Sequence, residues 1–230
     1  MTDTEIKNIF KLQSRNVRYL KRVKKNMNMD INHYLIQNDS YQVSIKTKLY
    51  SLLYSALSEA QFIQILHTPN GFMYSEILKI QKERSIVDSW HLMLDLALNK
   101  VGDWNNNEDL RKRRYRLKEI INEYIEKPQI LRNKIAHGQW IHALNSNNTA
   151  ENQEITSSIN ELNVVIISIW FEVHQYLCYI IRDLVQSPKK GFHNNYWKNM
   201  IDLENFLQRS NNWTLEKRIE SLKMKYNNRK

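Results

Sequence analysis

Residues 157–186 read SSINELNVVIISIWFEVHQYLCYIIRDLVQ. Leu162, Val165, Ile166, Ile169, Val173, Leu177, Ile180 and Leu184 recur three or four residues apart, and apolar side chains fall on more than one face. The spacing predicts a long helix, from Ser157 or Ser158 to about Gln186, that sits at the centre of a bundle with neighbours around it. With only four glycines and three prolines, the chain lacks the turns that a sandwich or barrel needs. The expected fold class is all-α.

Helical signals continue on either side of this stretch. Thr2 followed by Glu5 forms a capping box, and Ile6, Phe10, Val17, Leu20 and Met27 carry a first helix to about Met27. Its other face holds Lys11, Arg15, Arg18, Lys21, Arg22, Lys24 and Lys25, either a solvated face or part of an RNA track. A second helix is expected from Asp39-Ser40 to just before Pro69, with Leu52, Ala56, Ile63 and Leu66 on one stripe. Glu59 falls inside that stripe at about 100° per residue, so it is expected to face inward and to need a partner. Tyr74 to Lys82 reads as a short helix, and Ser85 with Asp88 caps another that runs to about Lys100. Glu108 to Glu126 forms the next, bearing Arg111, Lys112, Arg113, Arg114, Arg116 and Lys118, the densest positive cluster in the chain. Pro128 either kinks this helix or opens a new one, and Gly138 marks a stop. Asn145 to Thr156 reads as a loop long enough to carry function. Beyond Pro188-Lys189-Lys190-Gly191, two shorter helices are expected, Tyr196 to Arg209 and Thr214 to Tyr226.

The 230 residues are 42% hydrophobic and 25% charged, which suits one globular core and excludes a disordered or collagen-like chain. A formal net charge of +10 favours a polyanionic partner, although basic charge also serves solubility. The single cysteine, Cys178, lies in an apolar stretch and reads as a buried thiol, which excludes a disulfide framework or a Cys-rich zinc site. No basic region followed by an apolar run opens the chain, and the run Val164 to Phe171 is too short to span a bilayer. A cytoplasmic protein without a membrane partner is therefore expected.

One segment carries chemistry. In Leu131-Arg132-Asn133-Lys134-Ile135-Ala136-His137-Gly138, Asn133 and His137 lie one helical turn apart, whereas Arg132 and His137 are about 140° apart on an ideal helix. This segment resembles the signature of the HEPN family: an Arg, often followed by Asn, a short helical spacer, then His. The order of a helix bearing Glu59, intervening helices, the motif and a following apolar helix also resembles that family's bundle between about residues 40 and 186. On this reading the whole chain, 1–230, is one helical domain, with residues 1–30 and helices within 192–226 as additions.

The resemblance implies a metal-independent endoribonuclease needing no cofactor. RNA supplies its own nucleophile, the 2′-hydroxyl, so cleavage requires only an acid or base and a cation to stabilise charge on phosphorus. His137 would be the acid or base and Arg132 the phosphate clamp, with Asn133 positioning the imidazole or the phosphate. Glu59 would hold Arg132 or orient His137, or else form a buried salt bridge with no catalytic role. Arg111, Lys112, Arg113, Arg114, Arg116 and Lys134 are the candidate RNA-binding residues. The products would be a 2′,3′-cyclic phosphate and a 5′-hydroxyl. The family further implies a homodimer that pairs two motifs across a cleft, and a prokaryotic toxin or antiviral defence effector with an antitoxin or defence-complex partner.

His142 reads as a surface residue or a contributor from a loop, and His174 as a satisfied core residue. His33, His67, His91 and His193 show no metal-ligand spacing, so no metal is expected. No glycine-rich phosphate loop is present. Two other classes fit parts of the sequence: a catalytically silent module that binds RNA or nucleotide or acts as a scaffold, and a helical DNA-binding or protein-interaction domain.

Overall fold

The computed structural model describes residues 1–186 and 195–228, so the turn expected at Pro188 to Gly191 and His193 lie outside the described residues. The chain is all-α. In order it forms α1 (Asp3–Gln37), α2 (Ser40–Leu66), α3 (Tyr74–Gln81), α4 (Ile86–Asn99), α5 (Glu108–Ile121), α6 (Lys127–Ala136), α7 (Gln153–Glu161), α8 (Val164–Gln186), α9 (Trp197–Ser210) and α10 (Leu215–Asn227). A π-helical turn, Asn122–Glu126, joins α5 to α6.

The capping box forms as expected: Glu5 N–H donates to Thr2 Oγ1 at 3.3 Å and Thr2 N–H to Glu5 Oε2 at 2.7 Å. The helix it opens runs ten residues beyond Met27, to Gln37. Asn28, Asp30, Asn32 and His33 are weak helix formers. Tertiary contacts hold them, because Ile31 and Leu35 are buried and the Arg218 guanidinium of α10 donates to Asn28 Oδ1 and Asn32 Oδ1 at 2.8 and 3.0 Å. Asn38, in the left-handed region at φ 57°, then turns the chain, and Asp39 caps α2 by accepting from Gln42 N–H. α1 and α2 form an antiparallel hairpin in which Gln64 donates to Ser14 near one end and Asn28 to Tyr50 near the other.

Two core regions share α2 and α8, which run parallel. Tyr50, Leu53, Tyr54 and Leu57 pack with Val164, Val165, Ile167 and Phe171 and with Val17, Ile31 and Leu35 of α1. Further along, Phe62, Ile65 and Leu66 meet Val173, Leu177, Ile181 and Leu184, and α4, α5 and α9 close this region through Trp90, Leu94, Leu117 and Leu203. A smaller cluster of Leu131, Ile135, Ala143 and Ile159 seats α6 and α7 against Leu52.

α8 begins at Val164, later than expected, because Leu162 is extended (ψ 128°) and Asn163 caps the new helix, its Oδ1 accepting from Val165 and Ile166 N–H. α7 lies within the stretch that reads as loop and helix start, capped by Asn152 accepting from Ile155 N–H. As a whole α8 is long and apolar enough, by length and composition, to cross a membrane, which the eight-residue run alone does not reveal. More than half of its most apolar stretch is buried among the other helices, as in a core helix.

Candidate active site

Pro128 sets up the local structure. It has no N–H for the carbonyl of Tyr124 four residues back, and just before it the chain widens to a π-helical turn with Lys127 N–H donating to Asn122 O. The phenolic hydroxyl of Tyr54, buried on α2, donates to the Tyr124 carbonyl. Pro128 therefore both interrupts the α5 helix and sits in the first turn of α6.

α6 ends in a Schellman motif centred on the motif histidine. His137 is the C-cap residue, Gly138 follows at φ +80°, Gly138 N–H donates to Ile135 O at 3.1 Å and Gln139 N–H to Lys134 O at 3.0 Å. The next residues fold back over α6. Trp140 Nε1–H donates to Ile135 O at 2.9 Å, Lys134 donates to Leu144 O, and Leu144 N–H donates to Gln139 Oε1. The 145–152 loop is held by Asn145 N–H to Ala150 O (2.8 Å), Asn152 N–H to Ala143 O (2.7 Å) and an isolated bridge between Leu144 and Glu151.

Between this loop and α6 lies an open groove of about 570 Å³. Ile130, Asn133, Lys134 and His137 form its helical wall, and Gln139, Asn145, Ser146 and Asn148 the other. The spacing 130, 133, 134, 137 is one helix face, so Asn133 and His137 share it as the sequence predicts. His137 is exposed and faces solvent from the helix end. Asn145, Ser146 and Asn148 belong to the loop whose length marks it in the sequence as able to carry function, but no pattern there names these side chains or Gln139 individually.

Arg132 does not line this groove. Its Nη1 donates to Asn133 Oδ1 at 3.1 Å, and its Nη2 stands 3.9 Å from Glu59 Oε1 on α2. A polar line thus runs from Glu59 through Arg132 to Asn133, which borders the His137 groove. Glu59 is not inward-facing as expected: its side chain is 41% exposed, and neighbouring Ala56 is exposed too. α2 buries most of its circumference, and the 52–56–59–63 stripe is its least covered side because the short α6 overlies only part of it. The buried-salt-bridge alternative for Glu59 is set aside, since a pair this open contributes about 0–1 kcal/mol.

The densest basic cluster is largely engaged within the fold. Arg114 makes two bonds to Asp95, at 2.6 and 2.9 Å, and stacks over Trp104; Lys118 shares Asp95 at 3.0 Å. Arg116 grips Glu204 of α9 through two bonds and touches Glu119, while Arg113 lies 3.7 Å over the Trp197 ring. Lys112 pairs with Glu108 on an exposed helix turn, and Arg111 is exposed. These residues tie α5 to α4 and α9, which the sequence reading did not anticipate because charge spacing along one helix says nothing of acids on others.

Four of the other histidines have partners within the fold. His174 is fully buried, with Nε2 2.8 Å from Ser58 Oγ and Nδ1 3.4 Å from Cys178 Sγ; burial lowers its pKa to about 3 and pushes the Cys178 thiol up. His142 pairs with Glu151 on the surface at 2.8 Å, His91 with Asn122, and His67 with the Ile63 carbonyl. Among the described residues, no three His, Cys, Asp or Glu side chains gather as a metal site would require. Compared with family models, curated proteins and solved structures, the chain gives no match.

Proposed function

We propose that this protein is a metal-independent endoribonuclease that uses His137, Arg132 and Asn133, and acts as a homodimer. The observation that carries the proposal is the end of α6: it presents His137 and Asn133 on one open groove while Arg132, bonded to Asn133, reaches toward Glu59.

In the reaction, the 2′-oxygen attacks the adjacent phosphorus as an imidazole removes its proton, and the 5′-oxygen leaves as a second imidazole protonates it. The P–O5′ bond breaks as the 2′-O–P bond forms, leaving a 2′,3′-cyclic phosphate and a 5′-hydroxyl. One neutral imidazole and one imidazolium are needed, and one motif supplies a single His. Arg132 and His137 also diverge around α6, so a second copy placing its motif opposite the first brings two imidazoles and a guanidinium to one phosphate. The role as a toxin or defence effector, restrained by a partner protein in the cytoplasm, belongs to the same proposal and rests on the motif's resemblance alone.

The test is RNA cleavage in EDTA by wild type, R132A, H137A and mixtures of the two variants. Cyclic-phosphate products are expected from wild type, and neither variant alone should cleave while each keeps its helical circular dichroism. Because both motifs act jointly, pairing a variant with wild type impairs the activity strongly, whereas mixed R132A/H137A dimers that regain activity would show that one Arg and one His per site suffice and overturn the two-imidazole mechanism. E59Q should lose less activity than R132A. RNA binding without cleavage by wild type would favour the silent-module reading. Full-rate cleavage by a monomer at nanomolar concentration would overturn the composite site.

A further inference from the structure

Lys48, in the first half of α2, is only 8% exposed. Its ammonium donates to Ser44 Oγ at 3.0 Å, one turn back, and no carboxylate of the described residues pairs with it. Two positions earlier, Lys46 does have an acid within reach, Asp30 at 3.7 Å. Burial lowers the pKa of Lys48, with no neighbouring charge opposing the effect. The side chain is packed between helices while its ammonium is only partly withdrawn from water, and an ammonium so placed without a counter-ion is rare.

Lys48 lines a pocket of about 400 Å³ where α2 meets the end of α1, the α7–α8 corner and α10. Ser44 and Thr47 add hydroxyls to its wall, and the Thr47 hydroxyl is buried with no hydrogen-bond partner. The apolar side is Leu162, Leu215 and Ile219. The size falls at the lower end of small-molecule sites, and the lining surface is mostly apolar although polar side chains, Asn38, Ser40, Asn160 and Asn163 among them, also border it. The His137 groove is separate, sharing no lining residue with it.

We propose that this pocket binds a small organic carboxylate, its head on the Lys48 ammonium and its apolar body against Leu162, Leu215 and Ile219. Lys48 is the one charged residue among those lining the pocket, with Lys223 held at its outer edge by Asn38 Oδ1 at 3.2 Å, so one ammonium inside matches one negative charge, whereas a phosphate dianion would leave a surplus charge in the pocket. α10 has no fully buried residue of its own, and two of its apolar side chains line the pocket. An occupant therefore also fastens α10 to α2.

The experiment uses the full chain and three probes: octanoate, octan-1-ol, which keeps the body without the charge, and acetate, which keeps the charge without the body. Thermal unfolding and calorimetric titration are read for wild type and K48M. Octanoate at millimolar concentration is expected to raise the wild-type melting temperature by several degrees, and octanol and acetate by much less. K48M should bind octanoate at least tenfold more weakly and, unliganded, melt no lower than wild type, because an apolar chain replaces a largely covered lysine that has no ion-pair partner among the described residues. Equal shifts from octanoate and octanol, no shift from octanoate, or undiminished binding by K48M would overturn the proposal. So would a K48M protein melting several degrees lower, since the ammonium would then already serve the fold.

Discussion

Tyr54 on α2 donates its phenolic hydrogen to the backbone carbonyl of Tyr124, the carbonyl that Pro128 leaves without a helical N–H. Burial raises the phenol pKa well above its usual value, so the hydroxyl remains a donor throughout the stable pH range. This bond ties the helix that carries the motif to the centre of the bundle. Removing it in Y54F should cost about 1–3 kcal/mol, because an accepting carbonyl loses its donor. P128A restores a donor four residues on, so the Y54F cost should fall by at least half in the P128A background. Urea unfolding of the four proteins measures this coupling, and strict additivity would show that Pro128 and Tyr54 do not compensate each other.

Gly138 at φ +80° holds His137 at the helix end, and a Cβ built there meets nothing within 4 Å. The cost of substitution is therefore backbone strain alone. G138A should destabilise by about 1 kcal/mol and G138V by more, while G138N, which tolerates the left-handed region, should cost less than either. Equal losses for Asn and Val in urea unfolding would point to a contact that the open surroundings do not show.

R114A should lower stability by about 1–2 kcal/mol, since Arg114 and Asp95 are both mostly buried and joined by two charge-assisted bonds. R111A, at an exposed position, should stay within about 0.5 kcal/mol of wild type. If R114A instead unfolds like wild type and only weakens RNA binding, α5 is a phosphate-binding face rather than a brace between helices.

His174 gives a pH signature. Its folded pKa is lowered to about 3 from 6.5, so the unfolded chain binds the proton more tightly. Its contribution is complete above pH 6.5 and is lost as pH falls from there toward 3, at up to about 1.4 kcal/mol per pH unit. Comparing H174Q with wild type between pH 7 and 5 isolates this slope from that of the carboxylates. The wild-type stability should fall faster than that of the variant, and parallel curves would mean that His174 titrates normally in the folded protein.

The local signals in the sequence are those the structure keeps. The Thr2–Glu5 box, the Asp39 and Ser85 caps, the Gly138 stop and the shared face of Asn133 and His137 are set within a few residues of chain, where backbone geometry leaves little choice. The inward stripe of α2, read from one helix alone, differs in the folded chain, and on α5 Arg114 and Arg116 are engaged while Arg111 and Lys112 stay exposed. Which side of a helix is covered, and which arginine finds an acid, depends on elements far away in sequence: the short α6 leaves Glu59 half-exposed, and Asp95 and Glu204 engage Arg114 and Arg116. The length of α1 past Met27 likewise came from Arg218 and two buried side chains, not from propensity. The sequence by itself thus determined helices, caps and the motif's own face. Only the tertiary structure decided what each face meets, because burial and ion pairing are properties of the assembled chain.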